Sequence, residues 1–439
     1  MSLDPYFDLS PTDRSMAILD RRSPVTFHVI WDLIGDVRLD SLGRAWDALS
    51  RVHPILSCSA DIELRGVWQP GAEWAPLSEA DEVGDVNGAT VRQLANPVSF
   101  AKGPLVRLTA IRRPDGYRFV LVAHHAAFDG AASVVLIDDL RTLYRDLAEG
   151  RPPRTEPDLS PRTVRSALRD TAPRLRSGQA IIQSLDRWRK APPSTHVDPA
   201  SGPSQPATGY ATIDLSPALR TLDHDRRRNS WPIDAVLLGL LEAAWDMVFG
   251  SDAHGTGAWL LASNLRHRLG MTRGIGNLSG VEPIVLRRPR PEPVQWLIEQ
   301  AAAEIAATRA GPPGLGPELM ARSWAWMPPA LLNQGVETML GASRDRRYTR
   351  VLSNMGRIPD SLGDWGSARL EGLTYLGPMG RGPYCMFVPI SHRGSSSLTV
   401  RTARDWLSAE HAENLGAAIN RLCGVQQETA TSLSAAVGG

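Results

Sequence analysis

The stretch Ala123-His124-His125-Ala126-Ala127-Phe128-Asp129-Gly130 decides the reading of this chain. It spells His-His-x-x-x-Asp-Gly, between an apolar run over 117–122 and a helix-like run over 131–148. Histidine is scarce, with ten in the chain, so the four fixed positions should coincide by chance on the order of once in a thousand such sequences. The physical reading is specific. An imidazole leaves the end of a strand, a glycine permits close backbone approach, and a helix then turns its free N–H groups to the same spot. That arrangement suits acyl transfer: a base for an incoming amine or hydroxyl, and donors for the oxyanion its attack creates.

Working outward, Val25, Phe27, Val29, Trp31 and Leu33 alternate with Thr26, His28 and Asp32, which predicts a half-buried strand. Asp40 is placed to cap a helix whose Leu42, Ala45, Trp46, Leu49 and Val52 share one face. Segments 105–111 and 117–122 read as strands around the turn Arg113-Pro114-Asp115-Gly116. Beyond the motif, Val135, Leu136, Asp139, Leu140, Leu143 and Leu147 recur at helical spacing until Gly150.

From about residue 151 to 209 the composition changes. Prolines 152, 153, 157 and 161 lead into an arginine-rich helix over 163–189, followed by a Ser, Gly and Pro tract. This predicts an interdomain crossover. Further strands are expected at 210–215, 259–261, 351–354, 370–376, 386–390 and 398–402. Helices are expected at 233–249, 294–308 and 408–422, with a loop at 311–317.

At 439 residues and 42% apolar, the chain has room for two or three globular domains. No window approaches the run of about eighteen apolar residues that a membrane span needs, and the opening Met1-Ser2-Leu3-Asp4-Pro5 is no secretory signal. Cys58, Cys385 and Cys423 are far apart and lack metal-ligand spacing. They fit small core residues in a reducing cytoplasm.

A net charge of +1 argues against nucleic acid as the main partner. Nearly all the positive charge is arginine, since the lysines are Lys102 and Lys190. Arginine clusters at 226–228 and 344–347 read as solvated faces, though a phosphate-bearing donor could use such groups.

With strand, histidine motif, helix, crossover and a second αβ half in order, the chain resembles the condensation-domain and coenzyme A-dependent acyltransferase superfamily. The likeness extends beyond the motif. Arg51-Val52-His53-Pro54-Ile55-Leu56 resembles the family's "RHP-L" helix end, and Asn264-Leu265-Arg266-His267-Arg268-Leu269 its "D-L-R-x-R-L" segment. Ile275-Gly276-Asn277-Leu278 is similar to "I-G-N/F", and Ser353-Asn354-Met355-Gly356-Arg357 to the late "S-N-x-G-R" strand.

The resemblance implies an α/β fold of two chloramphenicol acetyltransferase-like αβ sandwich lobes in a V, residues 1–165 and 205–439, joined by a linker over 166–204 and enclosing a tunnel. It implies His125 as the catalytic histidine, Gly130 beside the reacting thioester, and His124 as a structural neighbour. Asp129 would point away from substrate and pair with Arg266. Segments typical of elongating peptide-synthetase domains are missing, and Gly280 stands where an asparagine is expected. The donor could therefore be carried on phosphopantetheine or on coenzyme A.

A lone histidine is commonly a satisfied core residue; the motif context singles out His125. A metal site fails because adjacent histidines diverge along a strand and no third ligand has suitable spacing. The segment 274–280 imitates a dinucleotide fingerprint with one residue too many, and reads as a turn. Trp324 and Trp326 could line a substrate channel with Ser353 and Asn354, although tryptophans are more often core.

The expected protein is thus a cytoplasmic monomeric acyltransferase of natural-product biosynthesis with no resident cofactor or metal. It would take an acyl group from a pantetheine thioester, on an acyl or peptidyl carrier protein or on coenzyme A, to an amine or alcohol. A carrier-docking module without catalysis, or a lipid or drug acyltransferase, are the alternatives.

Overall fold

A computed structural model describes residues 9–20, 24–60, 68–80, 84–160, 162, 186, 209–250, 256–271, 273–287, 293–309, 331, 334, 350–378, 385–402 and 409–425. Trp324, Trp326, the 311–317 loop, the arginines at 344–347 and nearly all of the 163–204 crossover lie outside the described residues.

The first part runs α1 Pro11–Asp20, β1 Thr26–Gly35, α2 Leu39–Val52, β2 Cys58–Ala60, β3 Trp68–Pro70, β4 Ser78–Ala80, α3 Val86–Leu94, β5 Val106–Arg113, β6 Gly116–His124 and α4 Gly130–Ala148. The second runs β7 Tyr210–Asp214, α5 Ser216–Arg228, α6 Ile233–Phe249, β8 Thr256–Asn264, β9 Ser279–Arg287, α7 Val294–Arg309, β10 Arg350–Leu352 and β11 Gly356–Arg357. It continues through β12 Asp364–Trp365, β13 Ala368–Leu376, β14 Cys385–His392, β15 Ser395–Thr402 and α8 Ala409–Leu422. Two open mixed sheets result, ordered β12-β13-β1-β6-β5-β4 and β7-β15-β14-β10-β8-β9, with β11 beside β14. This is the α/β architecture the sequence implied.

The sheets do not divide at residues 165 and 205. β13 pairs antiparallel with β1, matching His28 to Leu376 and Gly35 to Ala368, so residues 364–376 of the expected second lobe complete the first sheet. The physical reason is β1 itself. Its other edge is taken by β6, and its first six residues are all buried, so an open edge would leave backbone donors and acceptors unpaired in an apolar setting.

That burial also corrects the half-buried expectation. Phe27, Val29, Trp31 and Leu33 join the core beneath α2 and α4. On the other face, Ile30 packs with Ala89, Leu94, Val98 and Leu376. The helix after β1 starts two residues earlier than expected, with Arg38 at the cap position and Asp40 inside the first turn. There Asp40 faces the positive end of the helix dipole instead of capping it.

In the second sheet, α6 is apolar nearly all round and buried along most of its length, against Trp259, Phe387, Leu398 and Val400. The opposite face of this sheet offers Val351, Met386, Val388 and Ile390 to the first core. Apolar packing therefore runs continuously across the junction where the histidine motif lies. No described helix is long and apolar enough to cross a membrane.

Candidate active site

His125 follows the last residue of β6, and its N–H donates to Val25 O at 2.9 Å. The ring sits edge-on to Phe27, with centroids 5.9 Å apart. Its Nδ1 lies 2.8 Å from Phe128 O. A carbonyl can only accept, so Nδ1 carries the proton and Nε2 keeps its lone pair. Burial lowers the His125 pKa below its ordinary value; the Phe128 carbonyl and the Asp129 charge work the other way, and His124 adds to the lowering. The net effect is a neutral imidazole with a fixed tautomer. Its exposure is partial, which leaves Nε2 open to a reactant.

His124 is wholly buried. Its Nδ1 accepts from Ala126 N at 3.2 Å, and its Nε2 lies 3.2 Å from Asp20 Oδ1. Together with the Phe100 ring 5.3 Å away, these contacts tie the motif to α1.

Asp129 is the N-cap of α4: its Oδ1 accepts from Ala132 N at 2.8 Å. Its Oδ2 accepts from Arg266 Nη1 and from Leu278 N, both at 2.8 Å. With both oxygens committed and 3% exposure, the carboxylate is spent on structure.

Arg266 is equally saturated. Its Nε donates to Gly274 O, Nη1 to Asp129 and Asn264, and Nη2 to Gly274 O and Gly276 O. All five N–H groups of the guanidinium are used. The 274–280 segment that imitated a dinucleotide fingerprint is the cradle for this pair. A Cβ on Gly276 would run into the carbonyl of Arg162, which explains the glycine.

Gly130 opens α4 with its Cα against Met355: an added Cβ would lie 2.6 Å from the Sδ. Ser133 Oγ donates to Gly130 O at 2.6 Å and contacts Tyr375 OH at 3.1 Å. Ser353 and Asn354 lie in the loop after β10. Ser353 N donates to Phe387 O at 2.9 Å, and Asn354 Nδ2 donates to Asp234 Oδ1 at 2.7 Å.

Three site neighbours escaped the sequence reading. Asn277 donates to His125 O at 2.9 Å and thereby holds the catalytic candidate from the second sheet. Its position in the "I-G-N/F" segment was the available signal. Tyr375 was legible as a strand residue, and Met355 as the variable position of "S-N-x-G-R". Among the described residues no group of three or more His, Cys, Asp and Glu could hold a metal.

Comparison with known proteins adds a sequence match and a fold match. The condensation-domain family model matches residues 25–161. Chondramide synthase cmdD of Chondromyces crocatus is 26% identical over 312 residues, covering 65% of this chain and 8% of the synthase. Phthiocerol/phthiodiolone dimycocerosyl transferase of Mycobacterium leprae (strain TN) is 28% identical over 145 residues, 31% of this chain and 33% of that enzyme. The matches thus span a third or less of these relatives' lengths. A mutant of the starter condensation domain of rhizomide synthetase RzmA, solved in complex with C8-CoA and Leu-SNAC, superposes with a TM-score of 0.67. It shares 16% identity, over 95% of this chain and 93% of that one. Residues 25–161 thus match the condensation-domain family model, and across nearly its whole length the chain shares the fold of solved condensation domains.

Proposed function

We propose that this protein transfers an acyl group from a pantetheine thioester to an amine or hydroxyl acceptor in natural-product biosynthesis. One observation carries the reading: a neutral His125 whose Nδ1–H is fixed on Phe128 O, leaving Nε2 as the free base beside the N-terminus of α4. The acceptor attacks the thioester carbonyl while Nε2 takes its proton. The oxyanion forms where the first N–H groups of α4 point. Collapse expels the pantetheine thiolate, which recovers the proton from the imidazolium. Asp129 takes no part in the proton transfer; it holds the helix start and the motif in register. The likeness to a domain solved with C8-CoA supports a pantetheine thioester as donor, free or on a carrier protein, with the junction of the two sheets as its channel.

The test is thiol release from a panel of acyl-coenzyme A and acyl-carrier donors with amine and alcohol acceptors. Wild type should release thiol in an acceptor-dependent way, and His125→Ala should lose about 10²–10⁴-fold in rate, the usual worth of general-base catalysis, while still binding donor. Near-normal turnover in the variant removes the base role. Tight binding of loaded carrier with no release under any acceptor would favour a docking module.

A further inference from the structure

The contact that meets the motif glycine from the second sheet bears on which acyl groups the site takes. Met355 lies between β10 and β11, where its own N–H and the side chain of the residue before it are both held. Its N–H donates to Pro389 O at 3.0 Å. The preceding Asn354 accepts from Gly356 N at 2.9 Å and donates to Asp234 at 2.7 Å. From this clamped peptide the thioether reaches across the junction to the first core. There its Sδ and Cε stand 2.6 and 3.0 Å from where a Cβ on Gly130 would sit, so a methyl group on Gly130 cannot enter without moving the thioether. The side chain is only partly buried, and it packs against the first core at the start of α4.

We infer that Met355 is a specificity-determining residue that limits the width of the acyl group at the carbon next to the thioester carbonyl. The inference rests on the acyltransferase reading above. An oxyanion held by the first N–H groups of α4 puts the substituents of the acyl α-carbon beside Gly130, and the wall they meet there is the thioether. Methionine is unbranched and turns about three bonds, so it yields to a narrow chain. A branch at the α-carbon needs the volume that Sδ and Cε occupy.

The experiment compares wild type, Met355→Ala and Met355→Phe with straight-chain and 2-methyl-branched acyl-pantetheine thioesters. It reads both equilibrium binding and kcat/KM. Met355→Ala should raise the branched-to-straight ratio of kcat/KM about tenfold and Met355→Phe should lower it, the usual scale for one methyl or methylene in a pocket. A Gly130→Ala variant should bind donors poorly, and adding Met355→Ala should restore binding, because the two side chains compete for one volume. If thioesters bind but the ratio stays the same in folded Met355→Ala and Met355→Phe, the inference falls and the acyltransferase reading stands. If wild type binds no pantetheine thioester at all, the acyltransferase reading falls and takes the inference with it.

Discussion

His28 and His125 are both imidazoles that this fold holds uncharged, for different ends. His125 has one nitrogen anchored on a carbonyl and the other free, the arrangement the proposed chemistry needs. His28, on β1, is neutral because it is buried and because Arg401 and Arg107 face it; the Leu94 carbonyl pulls weakly the other way. Arg401 Nη1 lies 3.3 Å from His28 Nδ1, a contact that a protonated ring would turn into repulsion. Both native pKa values are lowered, against about 6.5 for unfolded histidine. As pH falls, the unfolded chain binds protons first. The contribution to stability is therefore complete above about pH 6.5 and is lost as pH falls towards the native values. Thermal denaturation of wild type and His28→Asn from about pH 5 to 8 should show a shallower acid decline in the variant. Equal slopes would mean that His28 does not control it. At this scale the sequence was legible where chemistry concentrates in one short segment. His125, Asp129 and Gly130 stand within six residues of one another, whereas Asn277, Met355 and Tyr375 reach the same place from remote segments that no spacing rule connects.

Among elements, the start of α4 and the 264–278 segment behave as one unit. Asp129 caps the helix, accepts from Leu278 N and pairs with an arginine whose five donors are all satisfied. Breaking such a buried pair costs about 3–5 kcal/mol, because the surviving charge is left alone. Arg266→Met and Asp129→Asn should each lose on that order in denaturant unfolding. The double variant should lose much less than the sum. Strictly additive losses would show that the two groups act separately. The periodic helices α2, α4 and α6 were legible because each presents a face, or a whole surface, of apolar side chains. The strand β9 was not: Gly280 and Pro283 interrupt its pattern, and they are tolerated because β9 lies at the edge of its sheet. Similarly, α5 has few apolar residues and ends in three arginines. Arg226 and Arg227 both pair with Asp223 at its exposed surface, so its helical period carries little hydrophobic signal.

For the molecule as a whole, the sheet assignment mattered more than the strand assignment. The sequence reading expected 370–376 as a strand, but a strand assignment says nothing about which sheet will accept it. The answer depends on β1 needing a second partner and on an apolar core that continues from α2 and α4 to Val351, Met386 and Ile390. A fragment of residues 1–165 should therefore lack a cooperative thermal transition, and adding residues 205–439 in trans should restore one. A sharp melting transition for the first fragment alone would show that β1 tolerates an open edge.

The same strand exchange shapes how the protein comes into being. β6 is complete once His124 has been made, yet the partner for the other side of β1 ends at Leu376. About 250 residues separate the two events, on the order of tens of seconds at ordinary elongation rates. Throughout that interval the nascent chain carries a long apolar edge with nothing to zip against. Synthesis should depend on chaperones that shield it, and a pause placed before β13 should lower soluble yield more than one placed after it.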